Sequence, residues 1–368
     1  MIPVFKPSHD HREIEAVAEV LRSGWTGLGP KVAEFERQFA DYVGVKYAVA
    51  TNSGTAALHL AYRLVGAGPT TEVIVPSLTF VSTALAASYC GACPVFADSC
   101  ADTLLMDYDH VRTLITPKTK AVCIVLYGGQ TLQRMPQFYH DGVIPIILDC
   151  AHACGSKQDL KQADLHCWSF HAVKNLACGD GGMLTMHSSE LYERAKRLRW
   201  CGIDTSTYDR GVSSTGTYKW EYDVKEVGYK CHMNDITAAI GLVQLAKLPE
   251  MQAKRLELVH GYMRNIGSMG EIYCPWNVGP NGSGWHLFFI RTDRRNELAD
   301  FLRTKGINTG VHYKPIHLYD CWGKQRPFLP IVEREWQKLL TLPLFPDLTL
   351  EEVDYICDSI KEFYGRPS

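Results

Sequence analysis

Pro145-Ile-Ile-Leu-Asp149 is an apolar run that ends on a carboxylate, and it decides how the rest of the chain is read. A strand with no polar face lies inside a parallel sheet covered by helices on both sides. Its last residue, Asp149, then stands at the C-terminal edge of the sheet, where open α/β sheets bind ligands. Working outward, strands are predicted at Tyr47–Thr51, Glu72–Val75, Pro94–Ala97, Lys120–Leu126, Leu165–Phe170 and Met183–His187. Between them, Gly54–Val65, Thr79–Tyr89 and Asp107–Ile115 carry apolar residues at helical spacing, each opening on a small or acidic residue suited to a helix N-terminus. This alternation specifies βαβ units and a doubly wound α/β domain around a mostly parallel sheet.

The chain has 368 residues, 46% of them hydrophobic and 21% charged, enough for a large core and a second domain. From Trp200 to Met233 the periodicity fails, which predicts a long loop working at a site or an interface. Helices are then expected at Asn234–Leu248 and Pro249–Ile266, a strand at Trp285–Arg291, a helix at Arg294–Lys305, a strand at Asn308–Tyr313 and a closing helix at Leu350–Phe363. The division follows: residues 1–249 as a large domain with an N-terminal arm and the 200–233 loop, and 250–368 as a smaller α/β domain packed on it.

Several function classes are excluded at this level. Thirty-eight basic residues against 40 acidic ones leave a formal charge of -2, with no basic tail to grip a phosphate backbone, so nucleic acid is not expected as a partner. The 13 cysteines are odd in number and scattered, and no secretory signal precedes them, so reduced thiols and a cytoplasmic location are expected. Cys90 and Cys93 form a CxxC without a second pair at metal-ligand spacing, and no metal site is predicted. Val73–Ala97 lacks charge over a membrane-spanning length, but its Pro, Ser and Thr content breaks it into strand, loop, helix and strand.

Three segments carry chemistry. Asp149 at a strand end wants a cationic partner, although an N-cap or a buried ion pair would account for it as well. Ser169-Phe-His-Ala-Val-Lys174 follows another apolar strand and delivers Lys174 to the same edge, with Gly179-Asp-Gly-Gly182 allowing a tight fold beside it. A lysine there is a candidate for an amine of lowered pKa able to form a Schiff base, where an isolated lysine would be a solvated surface group. Asn52-Ser-Gly-Thr55 opens a helix after a strand, so its amides and hydroxyls suit a phosphate, or simply cap the helix. Phosphate cradle, strand-end aspartate and strand-end lysine together are what pyridoxal phosphate (PLP) needs, the aspartate holding the pyridine nitrogen protonated and the lysine binding the aldehyde. Phe80, just after the strand Glu72–Val75, could stack on the ring or pack in the core.

At this point the chain resembles the DegT/DnrJ/EryC1/StrS family of PLP-dependent sugar aminotransferases, which have the aspartate aminotransferase (type I) fold. The resemblance runs nearly end to end, through Gly24-Trp-Thr-Gly-Leu-Gly-Pro30, Asn52-Ser-Gly-Thr-Ala-Ala-Leu58, Val73-Ile-Val-Pro-Ser77, Ser169–Lys174, Gly228-Tyr-Lys-Cys-His-Met-Asn234, Gly310-Val-His-Tyr313 and Leu342-Pro-Leu-Phe-Pro346. It implies that Lys174 is the Schiff-base lysine, Asp149 the partner of the pyridine nitrogen and His152 a contact to the O3′ side of the cofactor. By the same resemblance Gly54, Thr55 and Ser169 bind the phosphate, Ala56 adds an amide and Phe80 stacks on the ring. Asn234 matches a residue that reaches the phosphate from the neighbouring subunit, which implies a homodimer with two shared active sites; as a plain helix N-cap it would need no partner.

Within the family the chain is most similar to the branch that aminates UDP-linked 4-keto sugars, on Ser169–Lys174, Tyr208-Asp-Arg210 and Gly228–Asn234. That similarity implies a nucleotide-linked keto sugar and an amino-acid donor, L-glutamate, as substrates, with Trp25, His171 and His312 near the sugar; each histidine could equally be structural. The chain departs from the family pattern in Asp180, where a glutamate is usual, in Gly128-Gly-Gln130, and in shorter stretches at Met135–Asp149 and Gly155–Asp164. A PLP-dependent sugar dehydratase would carry histidine in place of Lys174, and a non-catalytic sugar-binding or regulatory relative would have no need of the Lys174 and Asp149 pair.

Overall fold

The computed structural model describes residues 1–132, 135, 144–204, 222–275, 282–323 and 326–367. Tyr208-Asp-Arg210 and most of the stretch from Met135 to Ile144 lie outside them. The chain opens with α1 (His11–Ser23) and α2 (Pro30–Val43), then β1 (Tyr47–Thr51), α3 (Gly54–Leu64), β2 (Glu72–Pro76), α4 (Ser82–Tyr89), β3 (Cys93–Ala97) and α5 (Tyr108–Leu114). It continues through β4 (Thr119–Val125), β5 (Ile146–Asp149), β6 (Leu165–Ser169), β7 (Gly182–Met186) and α6 (Ser189–Arg199). The last third holds α7 (Asp235–Ile266), β8 (Phe288–Arg291), α8 (Arg295–Thr304), α9 (Pro330–Glu335), β9 (Leu339–Leu342) and α10 (Leu350–Phe363).

Seven strands form one sheet in the order β1-β7-β6-β5-β4-β2-β3, with β7 antiparallel to both neighbours and the other pairings parallel. The six strands other than β7 therefore end on one edge, at Thr51, Pro76, Ala97, Val125, Asp149 and Ser169. Both faces are buried, which is why the strands read as continuous apolar runs. Along β4, Ala121, Cys123 and Val125 belong to one core while Val122 and Ile124 belong to the other. The first core is filled by Ala57, Leu60 and Ala61 of α3 and by the C-terminal elements, the second by Val32, Phe35 and Phe39 of α2 and Leu245 and Leu248 of α7. A smaller antiparallel pair, β8 and β9, completes the fold.

Where sequence and structure differ, packing is the reason. The helices expected at Asn234–Leu248 and Pro249–Ile266 are one helix, α7, with Pro249 inside it. An internal proline costs about 3 kcal/mol, but Leu245, Leu248 and Met251 are anchored in one core and Leu258, Val259, Tyr262 and Ile266 in the other, so both halves are held in line. Residues 249 and 250 lie within this helix. The strand expected at Asn308–Tyr313 does not form; Gly310 alone bridges Thr341, and the chain then turns toward the sheet edge. Trp285–Leu287, expected as the start of β8, is used instead to bond the Gly128–Gly129 turn. The sequence assignment begins at Tyr47, whereas α1 and α2 precede it. Asp10 and Glu13 form a capping box on α1, and the Asp235 carboxylate accepts from the amides of Gly29, Lys31 and Val32 at the start of α2. Among the described residues all 13 cysteines are unpaired, and no helix is long and apolar enough to cross a membrane.

Candidate active site

A cavity of about 400 Å³ opens at the edge where the parallel strands end. Its lining includes Ser53, Gly54 and Thr55 at the start of α3, Thr79, Phe80, Ser82 and Thr83 around α4, Asp149, Ala151 and His152 at the end of β5, Ser169, His171, Val173 and Lys174 after β6, and His312 and Tyr313. The structure thus brings together nine of the twelve residues singled out from the sequence: Asp149, Lys174, Gly54, Thr55, Phe80, His152, Ser169, His171 and His312.

Asp149, the last residue of β5, is buried. Thr83 donates its hydroxyl to Oδ2 at 2.8 Å and the amide of Ala151 donates to Oδ1 at 3.1 Å. Burial pushes the Asp149 carboxyl up, and these two bonds with the nearby Lys174 pull it back. A carboxylate so placed is stabilised by a cation brought into the cavity, and a protonated pyridine nitrogen is one.

Lys174 sits in a tight return between β6 and β7. Phe170 and Gly181 pair through their backbones, as do Ala172 and Gly179, with Gly179 at φ 84 and Gly181 at φ 150, left-handed values open to glycine at no cost. Desolvation lowers the amine to about 8, with Asp149 opposing the drop. An amine at that value is about one-tenth unprotonated near neutral pH, far more than an ordinary lysine, and that fraction can attack a carbonyl.

The cradle expected to take a phosphate is steric as well as polar. A Cβ on Gly54 would lie 2.8 Å from the Cβ of Ser169, and one on Gly182 would lie 2.6 Å from the amide nitrogen of Gly54. Only glycines let the start of α3 pack this closely on the β6–β7 edge, so Gly54 and Thr55 line the cavity at the helix N-terminus, where the dipole favours an anion. The Thr55 and Ser82 hydroxyls meet at 2.7 Å on the same side. Ala56, the fourth cradle residue expected, has its amide bound to the Ser53 hydroxyl at 3.1 Å and does not line the cavity.

On the opposite wall His152 is held in one tautomer. Its Nδ1 accepts from the amide of Gly128, which leaves Nε2–H to donate to the Tyr313 hydroxyl at 3.0 Å. Burial keeps His152 neutral and lowers His312 to about 4. The Gly128-Gly-Gln130 turn makes this possible: Gly129, at φ 94, would place a Cβ 2.8 Å from the His152 carbonyl oxygen. Phe80 stands at the mouth, 56% exposed, its ring 5.9 Å from that of Tyr313. Asp180 also lines the cavity and accepts from the amide of Gly181.

Two expected residues lie elsewhere in this chain. Trp25 is against Gly29, whose added Cβ would fall 2.1 Å from the indole nitrogen, and outside the cavity lining. Asn234 caps α7, its Oδ1 accepting from the amide of Thr237 at 2.9 Å, and its side chain is exposed. Sequence reading missed Thr83, Ser82, Tyr313 and His286, whose ring is 4.5 Å from that of His152. Tyr313 adjoins His312 in a quoted motif; nothing local marks the others.

The sequence model of the DegT/DnrJ/EryC1/StrS aminotransferase family matches residues 7–361. The fold is similar to that of the aminotransferase TlmJ from Streptoalloteichus hindustanus, with 33% identity over 99% of each chain and a TM-score of 0.90. It is similar to Spr1654 from Streptococcus pneumoniae, assigned as a sugar aminotransferase and solved in a PLP form, with 33% identity over 98% of each chain and a TM-score of 0.89. It is also similar to Helicobacter pylori PseC, an aminotransferase involved in the biosynthesis of pseudoaminic acid, with 28% identity over 99% of each chain and a TM-score of 0.91. With a buried strand-end carboxylate, an amine lowered by burial and a glycine-shaped anion cradle in one cavity, and relatives matched over their whole length, the chain belongs to the PLP-dependent DegT/DnrJ/EryC1/StrS aminotransferase family.

Proposed function

We propose that this enzyme moves an amino group from L-glutamate to the keto carbon of a nucleotide-linked sugar. The observation that carries the reading is the convergence of Lys174, Asp149 and the Gly54–Ser169 cradle on one cavity at the sheet edge. When bound, PLP supplies a conjugated ring that accepts the electron pair left as a proton departs from the donor's Cα. Lys174 would anchor the cofactor through its ε-amine and, once released, carry the proton from the donor. Asp149 would hold a proton on the ring nitrogen, fixed for that task by Thr83 and the Ala151 amide. His152, a donor through Nε2, would face the ring oxygen, and Gly54, Thr55 and Ser169 would hold the phosphate.

A sugar acceptor is supported by the relatives assigned as sugar aminotransferases. The nucleotide linkage and the glutamate donor follow the resemblance of the motifs. We place His171 and His312 beside the sugar because both line the cavity. Asn234 caps α7 through Oδ1 yet is exposed, which leaves its Nδ2 open to a second subunit, so we take the working form as a homodimer sharing its sites. Thirteen unpaired thiols suit the reducing cytoplasm.

The test is the visible spectrum of the protein loaded with PLP, before and after L-glutamate. Loss of the lysine-bound absorbance together with release of 2-oxoglutarate supports the reading, and screening of keto sugars then identifies the acceptor. Absorbance that does not depend on Lys174 would refute it.

A further inference from the structure

Behind Lys174 stands a second imidazole that does not line the cavity. His286 is buried, and its Nε2 lies 3.4 Å from the Lys174 ammonium nitrogen. Its Nδ1 lies 3.2 Å from Oδ1 of Asn175, the residue that follows the lysine. Which way each group points is settled by its partners. The Asn175 amide nitrogen donates to the carbonyl oxygens of Cys154, at 3.0 Å, and of Gly284, and a carbonyl can only accept. Oδ1 of Asn175 therefore turns to His286 and must accept from Nδ1–H. A neutral imidazole with its hydrogen on Nδ1 has a bare lone pair at Nε2, directed at the lysine.

The ring has no freedom to leave this position. It stacks on Phe5 of the N-terminal segment, centroids 5.3 Å apart and planes within 7°, and its backbone amide is bound to the carbonyl of Gly128. Among the described residues, the groups that act on it most are Lys174, His152, Arg255 and His312. With burial they hold His286 well below the ordinary histidine value.

We propose that His286 is a positioning residue for Lys174: as a fixed neutral acceptor it holds the ε-amine by one N–H whenever that amine is free, and so keeps the nitrogen at the site of proton transfer. The proposal rests on the reading of Lys174 as the lysine that binds the cofactor. A side chain with four methylenes would otherwise spread over many rotamers once released, and an amine that must move a proton between two atoms loses rate when misplaced by about 1 Å. The acceptor also stabilises the protonated amine against desolvation, a bond to a charged group that is worth about one pH unit.

The experiment compares the wild type with His286→Phe, which keeps the stack on Phe5 but accepts nothing, and with His286→Gln, which restores an acceptor oxygen. Two quantities are read: the pH midpoint for formation of the Lys174 imine from unloaded protein and added PLP, and the single-turnover rate with deuterated and undeuterated L-glutamate. His286→Phe should still bind PLP through Lys174, with its midpoint lower by about one unit and its turnover slowed about tenfold with a larger isotope effect. His286→Gln should recover most of both. Wild-type values in His286→Phe, or equal impairment in His286→Gln, would overturn the proposal in favour of a packing role. Should His286→Phe fail to fold, Asn175→Ala frees the imidazole while leaving both partners in place, and an unchanged midpoint there overturns it too. A wild type without imine absorbance, or Lys174→Ala with it, would instead remove the functional reading and the proposal with it.

Discussion

The two walls of the cavity are built on different principles. The sheet wall carries the groups whose charge or anion affinity matters, Asp149, Lys174 and the Gly54–Ser169 cradle, and each lies at or within a few residues of a strand end. The opposite wall carries His152, His312 and Tyr313, with His286 behind, neutral groups brought together from 161 residues apart in the case of His152 and Tyr313. On the first wall reactivity comes from burying charge next to its partner; on the second, burial strips charge away and leaves imidazoles that donate or accept in one direction only. In the proposed reaction one wall would do the chemistry and the other would aim it.

The comparison can be broken in order of effect. Lys174→Ala should reduce amino transfer more than about a thousandfold, because both the covalent anchor and the proton carrier are lost, as a coupled assay for 2-oxoglutarate would show. Asp149→Asn should cost on the order of a hundredfold by leaving the ring nitrogen without its buried counter-charge, read as turnover at saturating PLP. Gly54→Ala should weaken phosphate binding and native stability by about 1–3 kcal/mol, because the new methyl meets Ser169; PLP titration and thermal unfolding measure the two.

A smaller effect sharpens the same contrast through pH. Only the unprotonated amine attacks a carbonyl, so the rate of PLP capture should rise about tenfold per unit below pH 8 and level off above it. The folded value of Lys174 lies below its ordinary 10.5, so the unfolded chain binds more protons between about 8 and 10.5. The contribution of this group to the stability of the cofactor-free protein therefore increases as pH rises through that window. Least of all, Thr83→Val should slow turnover about fivefold by removing one hydroxyl from Asp149, with the rate following the loss of a single hydrogen bond.

Legibility followed the same divide. Asp149 and Lys174 could be read from Pro145-Ile-Ile-Leu-Asp149 and Ser169–Lys174 because an apolar strand announces its own end. Ala56 and Trp25 could be read only by resemblance, and within this chain the Ala56 amide is spent on Ser53 while Trp25 lies against Gly29. The helix break expected at Pro249 failed because local cost, about 3 kcal/mol, was set against two cores that propensity does not see.

Taken alone, the order of residues determined the strands, the edge at which they end and the types of group delivered there, because strand period and burial are short-range properties of the chain. Tertiary structure alone decided that Thr83 fixes Asp149, that Gly128 and Tyr313 set the tautomer of His152, and that His286 meets Lys174 across 112 residues. A hydrogen bond is made by distance and direction in space, and no periodicity along a chain encodes either.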